Sequence, residues 1–392
     1  MARSGNQKAL IDDLESLAVL NHRYSNIVCI NCPETGSRRG VCSLVFHATD
    51  DILGEPIAIK FMDPDCLGDR YRIAAFQREP ELLDKVLGRQ RCLQLVEGIQ
   101  TYNLNVPLGG TVFNIPLQYF VTEWIEEDID EYSLQQDQIS AVDKLQIFRL
   151  VILALESLHQ YDIHHRDIKI DNIRLKTVGT TQVAIFIDYG TAARIDSPPV
   201  ATSYGEPVGA NGFAPPESFA GLAGDRKIGS LADKYSIGAL LFSLFNKDEF
   251  YIIRHDETDF SKTIGILMAR MSTETTREGK ISAWSEEMIR LRHLATVPDI
   301  LRYGLTIPPV ARNTLRECYT SLTEFDFNRR NITLTRCRML VDIAIKTLTS
   351  QQAQSDKYTR MKAARKRRRN IAETKRQKLD LLLSKRGAIS NA

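Results

Sequence analysis

Hydrophobic residues follow two different spacings along this chain, and the spacing changes after its first third. From about Ser25 to Thr122 they form short runs rich in β-branched residues, which predicts strands, with one helical pattern near residues 70 to 87. From Glu127 to about Thr349 they recur at helical spacing. The clearest helix is expected over residues 141 to 160, where the shared face holds Leu145, Phe148, Val151, Ile152, Leu155 and Leu158. The pattern predicts an α+β protein with a small β-rich part and a larger, mainly helical part.

Both ends of the chain depart from this pattern. Residues 8 to 21 place Leu10, Ile11 and Leu14 on one helical face, which predicts a helix packed on the β-rich part. Residues 351–392 hold thirteen Lys and Arg against three acidic residues, a net charge of +10, so the other 350 residues carry −8 of the total of +2. We therefore expect a helical extension (1–24), a central domain (25–349) and a basic tail (350–392).

Two polar motifs in the helical part contain the residue types that phosphoryl transfer requires. Residues 165–172 read His-Arg-Asp-Ile-Lys-Ile-Asp-Asn, and Asp-Tyr-Gly follows at 188–190. Asp167 is suited to orient an acceptor hydroxyl, and Lys169 places a cation beside the transferred phosphate. Asn172 and Asp188 offer the hard oxygen ligands that Mg²⁺ shares with phosphates. The residues predict phosphoryl transfer from ATP with Mg²⁺ or Mn²⁺.

These motifs resemble the catalytic and metal-binding loops of the eukaryotic-type (Hanks-type) protein kinases, H-R-D-x-x-x-x-N and D-F-G, with Tyr189 in place of the phenylalanine. Other segments resemble further landmarks of that family, in the family's order. They are Ala58-Ile59-Lys60 (the strand-three lysine), Ala214-Pro215-Pro216-Glu217 (A-P-E), Asp233-Lys234-Tyr235-Ser236-Ile237-Gly238 (the buried helix that anchors the catalytic loop) and Asp326-Phe327-Asn328-Arg329-Arg330 (D-P-x-x-R).

The resemblance implies a two-lobed protein-kinase fold, with a small β-rich N-lobe with one main helix (25–122), a hinge (123–127) and a larger, mostly α-helical C-lobe (128–349). It implies structural roles for His165, Arg166, Asp233 and Arg330, with Arg330 paired to Glu217. It also implies serine or threonine acceptors, because Lys169 is the second residue after the catalytic aspartate.

The phosphate-covering loop departs from the family's G-x-G-x-x-G-x-V. Fifteen residues before Lys60 lies Val45, which places Arg38, Gly40 and Ser43 at the three glycine positions. Only Gly40 is retained. Because side chains at the other two positions keep the backbone from the phosphates, while Arg38 and its neighbour add charge, we expect modest ATP affinity.

The strand-three lysine, Lys60, is expected to hold the α- and β-phosphates and needs a carboxylate partner from the next helix. Spacing favours Glu79, and Glu81 is the second candidate. Pro80 lies between them, and a proline disfavours helical geometry, so the helix is expected to kink or restart there.

The strand that ends at residues 120–125 resembles the hinge on which adenine lies. Backbone groups of Glu123 and Ile125 are expected to bond the base, with Val45 and Ala58 lining the site. Thr122 falls at the residue that limits the pocket behind the base.

The segment between the metal loop and Glu217 is expected to position protein substrates. Ala210 replaces a threonine of the family pattern, which affects acceptor specificity. Thr202 or Ser203 is expected to be phosphorylated and then bound by Arg166.

Composition points to a reduced, cytoplasmic environment. Seven irregularly spaced cysteines favour free thiols, and the solitary pair Cys29 and Cys32 is expected to be structural. No apolar run approaches the ~20 residues that span a bilayer, so no membrane partner is expected.

The basic residues between 357 and 386 suggest either a nucleic-acid partner or a nuclear-import receptor, with nuclear rather than cytoplasmic location as the alternative. A solvated helix is the simpler interpretation.

Together these features predict an ATP-dependent protein serine/threonine kinase that also phosphorylates itself. The alternatives are a pseudokinase that acts as a nucleotide-binding scaffold and a small-molecule phosphotransferase. The segment around Glu217 and Arg330 argues against the latter.

Overall fold

Two lobes make up the described part of the chain. The structure is a computed structural model that describes residues 4–31, 43–108, 111–129, 138–194, 212–222, 226–301 and 309–389. An antiparallel sheet with one main helix comes first, and a largely helical lobe follows. The predicted α+β, two-lobed fold is confirmed.

Six antiparallel strands form the sheet of the N-lobe. They are β1 (Val19–Leu20), β2 (Tyr24–Cys29), β3 (Ser43–Asp50), β4 (Glu55–Met62), β5 (Leu95–Leu108) and β6 (Thr111–Glu123), in spatial order β1-β2-β3-β4-β6-β5. Val45 lies opposite Lys60, and Ala58 lies opposite both His47 and Thr122. Because alternate residues of a strand share a face, these five side chains lie on one face of the sheet.

The opposite face is covered by the N-terminal helix α1 (Gly5–Ser16). Its apolar side chains and those of the sheet form one cluster that includes Leu10, Ile11, Leu14, Phe46, Phe61 and Tyr119. The helix was expected over residues 8 to 21 but ends earlier, because Leu17 already has the extended backbone that leads into β1.

Helix α2 (Arg70–Lys85) contains Pro80 in its interior and is a single helix, so the predicted restart is wrong. Phe76, Leu82 and Leu83, on either side of the proline, are buried. Burying three such side chains is worth about 1.5–3 kcal/mol each, which exceeds the roughly 3 kcal/mol cost of a helical proline.

The C-lobe consists mainly of helices. They are α3 (Ala141–His159), α4 (Pro216–Phe219), α5 (Arg226–Phe245), α6 (Phe250–Glu257), α7 (Phe260–Met271), α8 (Arg277–Leu291), α9 (Pro309–Leu322) and α10 (Leu334–Ile389). Short strands accompany them: β7 (Glu127–Asp128), β8 (Ile163–His164), β9 (Ile173–Val178), β10 (Thr181–Phe186) and β11 (Ala193–Arg194). Helix α3, predicted over residues 141 to 160, is buried along most of its length and precedes the segment that begins at His165.

The last helix, α10, continues across residue 350, where the domain was expected to end. The burial of its side chains ends near this residue, but the helix itself continues. Ala344 is 1% exposed, whereas the side chains of residues 349–355 and 357–367 are exposed. None of the helices in the described ranges is both long and apolar enough to cross a membrane.

The described cysteines are all buried: Cys29, Cys66, Cys92, Cys318 and Cys337. Cys32 lies outside the described residues, so the expectation for the Cys29 and Cys32 pair stays a prediction.

Candidate active site

The segment His165-Arg166-Asp167 is held by a buried carboxylate of α5. Asp233 accepts the backbone N–H of His165 at 2.9 Å on Oδ2 and that of Arg166 at 2.7 Å on Oδ1. Nε2 of His159, at the end of α3, lies 2.9 Å from the same Oδ2. Burial acts to raise the pKa of Asp233, but these contacts outweigh it and hold the pKa below its ordinary value. The segment His165-Arg166-Asp167 is thereby fixed to the core of the C-lobe.

Three potential metal ligands, His159, His164 and Asp233, lie within 4.8 Å of one another near this segment. Both oxygens of Asp233 already accept backbone hydrogen bonds. We therefore infer that the cluster positions the segment His165-Arg166-Asp167 rather than a metal ion.

Asp167, Lys169 and Asn172 form one polar group. Nδ2 of Asn172 donates to the backbone oxygen of Asp167 at 2.9 Å and to Oδ2 at 3.0 Å. Nζ of Lys169 lies 3.3 Å from the same Oδ2. Because the amide nitrogen of Asn172 faces Asp167, its amide oxygen is the atom left for a cation.

Lys60 joins Glu79 and Asp188 in one network. Its Nζ lies 2.7 Å from Oε2 of Glu79 and 2.7 Å from Oδ1 of Asp188. Oε1 of Glu79 also accepts the backbone N–H of Tyr189 at 3.0 Å. Glu79 is 2% exposed and Glu81 is exposed, so Glu79 is the partner of Lys60.

The members of this network shift one another's pKa. Burial acts to lower the pKa of Lys60, but Asp188 and Glu79 outweigh it and raise the pKa. The protein atoms that surround the carboxylate of Asp188 act to raise its pKa, but Lys60 outweighs them and lowers the pKa. Burial raises the pKa of Glu79, because Lys60 offsets only part of the lost solvation. Lys60 and Asp188 are therefore held ionised at neutral pH.

The described residues fit a metal-bound nucleotide. Asn172 and Asp188 offer two hard oxygens, and the side chain of Asp188 is 47% exposed, so it is open to a cation such as Mg²⁺ or Mn²⁺. Val45 and Ala58 share the sheet face of Lys60. Gly40 lies outside the described residues, so its predicted role is not described by the structure.

Glu123, a predicted hinge residue, contacts both Gln94 and strand β9. Its side chain accepts the backbone N–H of Gln94 at 3.0 Å and pairs with Lys176 of β9. Its own N–H donates to the carbonyl of Gln94 at 3.0 Å, and its carbonyl accepts the hydroxyl of Thr122 at 3.2 Å, which leaves the second lone pair of that carbonyl for a base. Ile125, the second predicted hinge contact, is 7% exposed.

Arg166 has left-handed backbone geometry with φ at 66° and a side chain that is 8% exposed. Within the described part of the chain its Nη2 has no hydrogen-bond partner. Burial lowers the pKa of Arg166, and the charges of Arg78 and Arg277 act in the same direction. Such a guanidinium is suited to an anion. Thr202 and Ser203, the predicted sites of phosphorylation, lie outside the described residues.

Glu217 and Arg330 form a fully buried ion pair. Nη1 lies 2.7 Å from Oε1 and Nη2 lies 3.2 Å from Oε2, and both side chains are 0% exposed. Arg330 also donates to the carbonyls of Leu231 at 2.7 Å and Glu324 at 2.8 Å. Its guanidinium lies 4.8 Å from the ring centre of Tyr235. The pair fastens the start of α4 to α5 and to the segment before α10.

Arg254 of α6 holds the segment just before Glu217. The side chain is 1% exposed, and its Nη1 donates to the carbonyl of Ala214 at 2.9 Å and to the hydroxyl of Tyr235 at 3.1 Å. Five aromatic rings surround the guanidinium, with centres 3.9 to 5.9 Å away: Phe219, Tyr235, Phe250, Tyr251 and Phe260. Ala210, upstream of this segment, lies outside the described residues.

Several contacts of the site were not predicted from the sequence. Nε of Arg78 donates to the carbonyl of Ala192 at 3.0 Å, across 114 residues of chain. The hydroxyl of Thr191 donates to the carbonyl of His165 at 3.0 Å. The contacts of Arg254 were not predicted either. Its segment has no motif, and the only available signal for Arg78 was its position next to Glu79.

A comparison with protein families places the larger part of this chain in one of them. The profile of the protein kinase domain matches residues 38–322. Similar curated proteins carry kinase names. The chain is 32% identical to the serine/threonine-protein kinase ppk6 of Schizosaccharomyces pombe over 135 residues, which are 34% of this chain and 16% of ppk6.

Two further relatives show the same partial coverage. The CTD kinase subunit alpha of Saccharomyces cerevisiae is 30% identical over 134 residues, 34% of this chain and 24% of that protein. The serine/threonine-protein kinase PrkC of Bacillus subtilis is 27% identical over 205 residues, 51% of this chain and 28% of that protein. The chain thus spans 16% to 28% of the length of these three relatives.

Proposed function

The chain belongs to the protein kinase family, and from that membership we propose that it transfers the γ-phosphate of Mg-ATP to serine or threonine hydroxyls of proteins, itself included. The strongest support is the network in which Lys60 contacts Glu79 and Asp188 at 2.7 Å. It brings together three charged residues that are far apart in sequence and suited to phosphates and a metal. Lys169 and the names of the relatives favour serine and threonine over tyrosine.

In this proposal Lys60 binds the α- and β-phosphates, and Asn172 and Asp188 hold the metal, which neutralises phosphate charge when bound. Asp167 orients the acceptor hydroxyl and takes its proton as the hydroxyl oxygen bonds to the γ-phosphorus and the bond to the bridging oxygen breaks. Lys169, 3.3 Å from Asp167, stabilises the charge of the transferred group.

The proposal is tested with γ-labelled ATP, Mg²⁺ and a mixture of proteins, using the full chain and Asp188→Asn. We expect label on serine or threonine from the wild-type chain and none from Asp188→Asn, because the variant loses a charged metal ligand. Residue-resolved mass spectrometry identifies the acceptor. Asp84→Asn, an exposed aspartate on α2, is the matched control and should behave as wild type.

An absence of label from the wild-type chain, with thermal stabilisation by Mg-ATP retained, would contradict the proposal. It would favour the second candidate, a nucleotide-binding pseudokinase. Arg38, Ser43 and Ala210, at positions where the family has glycine or threonine, are the observations that favour this candidate.

Protein rather than small-molecule acceptors are favoured by the anchored segment before Glu217. We expect Arg254→Met to raise the KM for a peptide substrate by about tenfold, since loss of the hydrogen bond to Ala214 costs about 1–3 kcal/mol. The KM for ATP should stay unchanged, because Arg254 contacts no residue of the nucleotide site among those described. Steady-state kinetics with each substrate varied separately measures both constants.

The control for this variant is Arg270→Met, which removes a half-exposed arginine of α7 paired with Glu274 and Glu286. It should leave both KM values unchanged. Equal rises in the peptide KM for the two variants would show that the arginine at 254 has no particular role in substrate positioning.

Three expectations from the sequence stay predictions. Phosphorylation of Thr202 or Ser203 is supported by the incompletely paired Arg166 beside Arg78. The cytoplasmic location, with the nucleus as alternative, is supported by composition alone. The domain bounds 1–24, 25–349 and 350–392 are consistent with the end of burial near residue 348.

A further inference from the structure

The last helix continues beyond the C-lobe, and its described side chains from residue 349 to residue 367 do not pack against that lobe. Helix α10 is buried on the lobe as far as Ala344, and from residue 349 the described side chains are exposed. Tyr358 is 66% exposed and Met361 is 46% exposed, so the few large apolar residues there contact little of the protein. This part of α10 is therefore a surface that no described part of the chain covers.

Positively charged side chains surround the helix over residues 357–367, the part whose side chains the structure describes. Residues 357–378 contain eleven Lys and Arg against one acidic residue. At 100° per residue, Lys357, Lys362 and Arg367 point in three widely different directions. The chain before residue 351 carries a net −8, so the overall charge of the body disfavours a polyanion, whereas the charge of this helix favours one.

We propose that residues 357–378 of α10 bind double-stranded DNA in its major groove, without sequence preference. An α-helix with side chains is about 10–12 Å across, and the major groove of B-DNA is about 12 Å wide with phosphates along both walls. Charge on all sides of the helix matches that surrounding anion. The 22 residues span about 33 Å, close to one turn of the duplex.

Other polyanions fit these observations less well. A lipid surface selects helices with a continuous apolar face, and residues 357–378 offer only Tyr358, Met361, Ile371 and three alanines. Single strands are bound largely by aromatic stacking, and no aromatic residue follows Tyr358. The major groove of A-form RNA is deep and narrow, so a helix enters it poorly.

The test is fluorescence anisotropy of a labelled DNA duplex of about 20 base pairs, roughly two helical turns, titrated with the full chain. If about six phosphates are neutralised, the plot of log K against log salt should have a slope of about −5, and affinity should fall about 10³-fold between roughly 50 and 200 mM salt. The chain should bind this DNA duplex more tightly than an RNA duplex or single-stranded DNA of the same length.

The variant replaces Lys362, Arg365, Lys366 and Arg367 with Gln. These side chains are exposed, so the fold should be unchanged, and the salt slope should fall by about 3 to 4. The matched control makes the same charge change on exposed residues of the body, Lys85, Lys262, Lys280 and Arg292 to Gln, and should bind as wild type.

Three outcomes would overturn the proposal. The first is no binding of the wild-type chain to the duplex at the lower salt concentration. The second is an equal loss of affinity in the control, which would assign binding to net charge. The third is equal or tighter binding of RNA or single strands, which would assign the helix to another nucleic acid.

Discussion

We expect Asp167→Asn to lower kcat for phosphoryl transfer by about 10² to 10⁴, with little change in the affinity for Mg-ATP. Asp167 accepts a hydrogen bond from Asn172 at 3.0 Å and lies 3.3 Å from Lys169, but the network of Lys60 and Asp188 does not include it. The substitution therefore removes the proton acceptor of the proposed reaction and leaves the proposed phosphate and metal groups in place. Steady-state kinetics and thermal stabilisation by Mg-ATP measure the two effects.

Asp162→Asn is the matched control for this prediction. Asp162 is exposed, lies five residues before Asp167 and has left-handed backbone geometry with φ at 56°, which asparagine tolerates as well as aspartate. It should keep wild-type kcat. A kcat within twofold of wild type for Asp167→Asn would rule out the assigned role. A fall in kcat that is accompanied by loss of Mg-ATP binding would indicate a folding defect instead.

The second large effect is expected for Arg330→Met, which should lower the free energy of unfolding by about 3–5 kcal/mol. Arg330 and Glu217 are both 0% exposed, so the substitution leaves a carboxylate buried without its partner. It also removes the donors to the carbonyls of Leu231 and Glu324. Chemical denaturation of the full chain measures the change.

Two companion variants separate the buried pair from a general loss of charge. Arg329→Met removes the neighbouring arginine, which is 44% exposed and lies 3.7 Å from Glu324, and should cost at most about 1 kcal/mol. Glu217→Gln combined with Arg330→Met should be more stable than Arg330→Met alone, because it removes the stranded charge. A double variant no more stable than the single one would contradict this account.

Much of the fold was predictable because its periodicity is local. The apolar spacing of residues 141 to 160 corresponds to the observed α3. The boundary of α1 was wrong by several residues, since the apolar spacing continues past Ser16 while the backbone does not. The predicted restart at Pro80 was wrong because helix propensity reflects the hydrogen bond that proline loses and not the burial of the apolar residues around it.

The amino-acid sequence by itself determined the residue types of the proposed chemistry. Asp167, Lys169 and Asn172 lie within six residues of one another, so a single loop is enough to bring them together. The net charge of the tail was equally a property of sequence, although its form as a continuation of α10 was not.

Tertiary structure decided which distant groups pair, apart from Arg330 and Glu217, whose pairing the family resemblance already implied. Lys60 meets Asp188 across 128 residues, and Glu79 rather than Glu81 is the third member because α2 turns that side chain toward the buried side. Arg254 finds the carbonyl of Ala214 and five aromatic rings that no motif connects to it. Such contacts depend on how helices and sheet pack, and burial then decides their strength, because a charge removed from water needs its partner far more than an exposed one does.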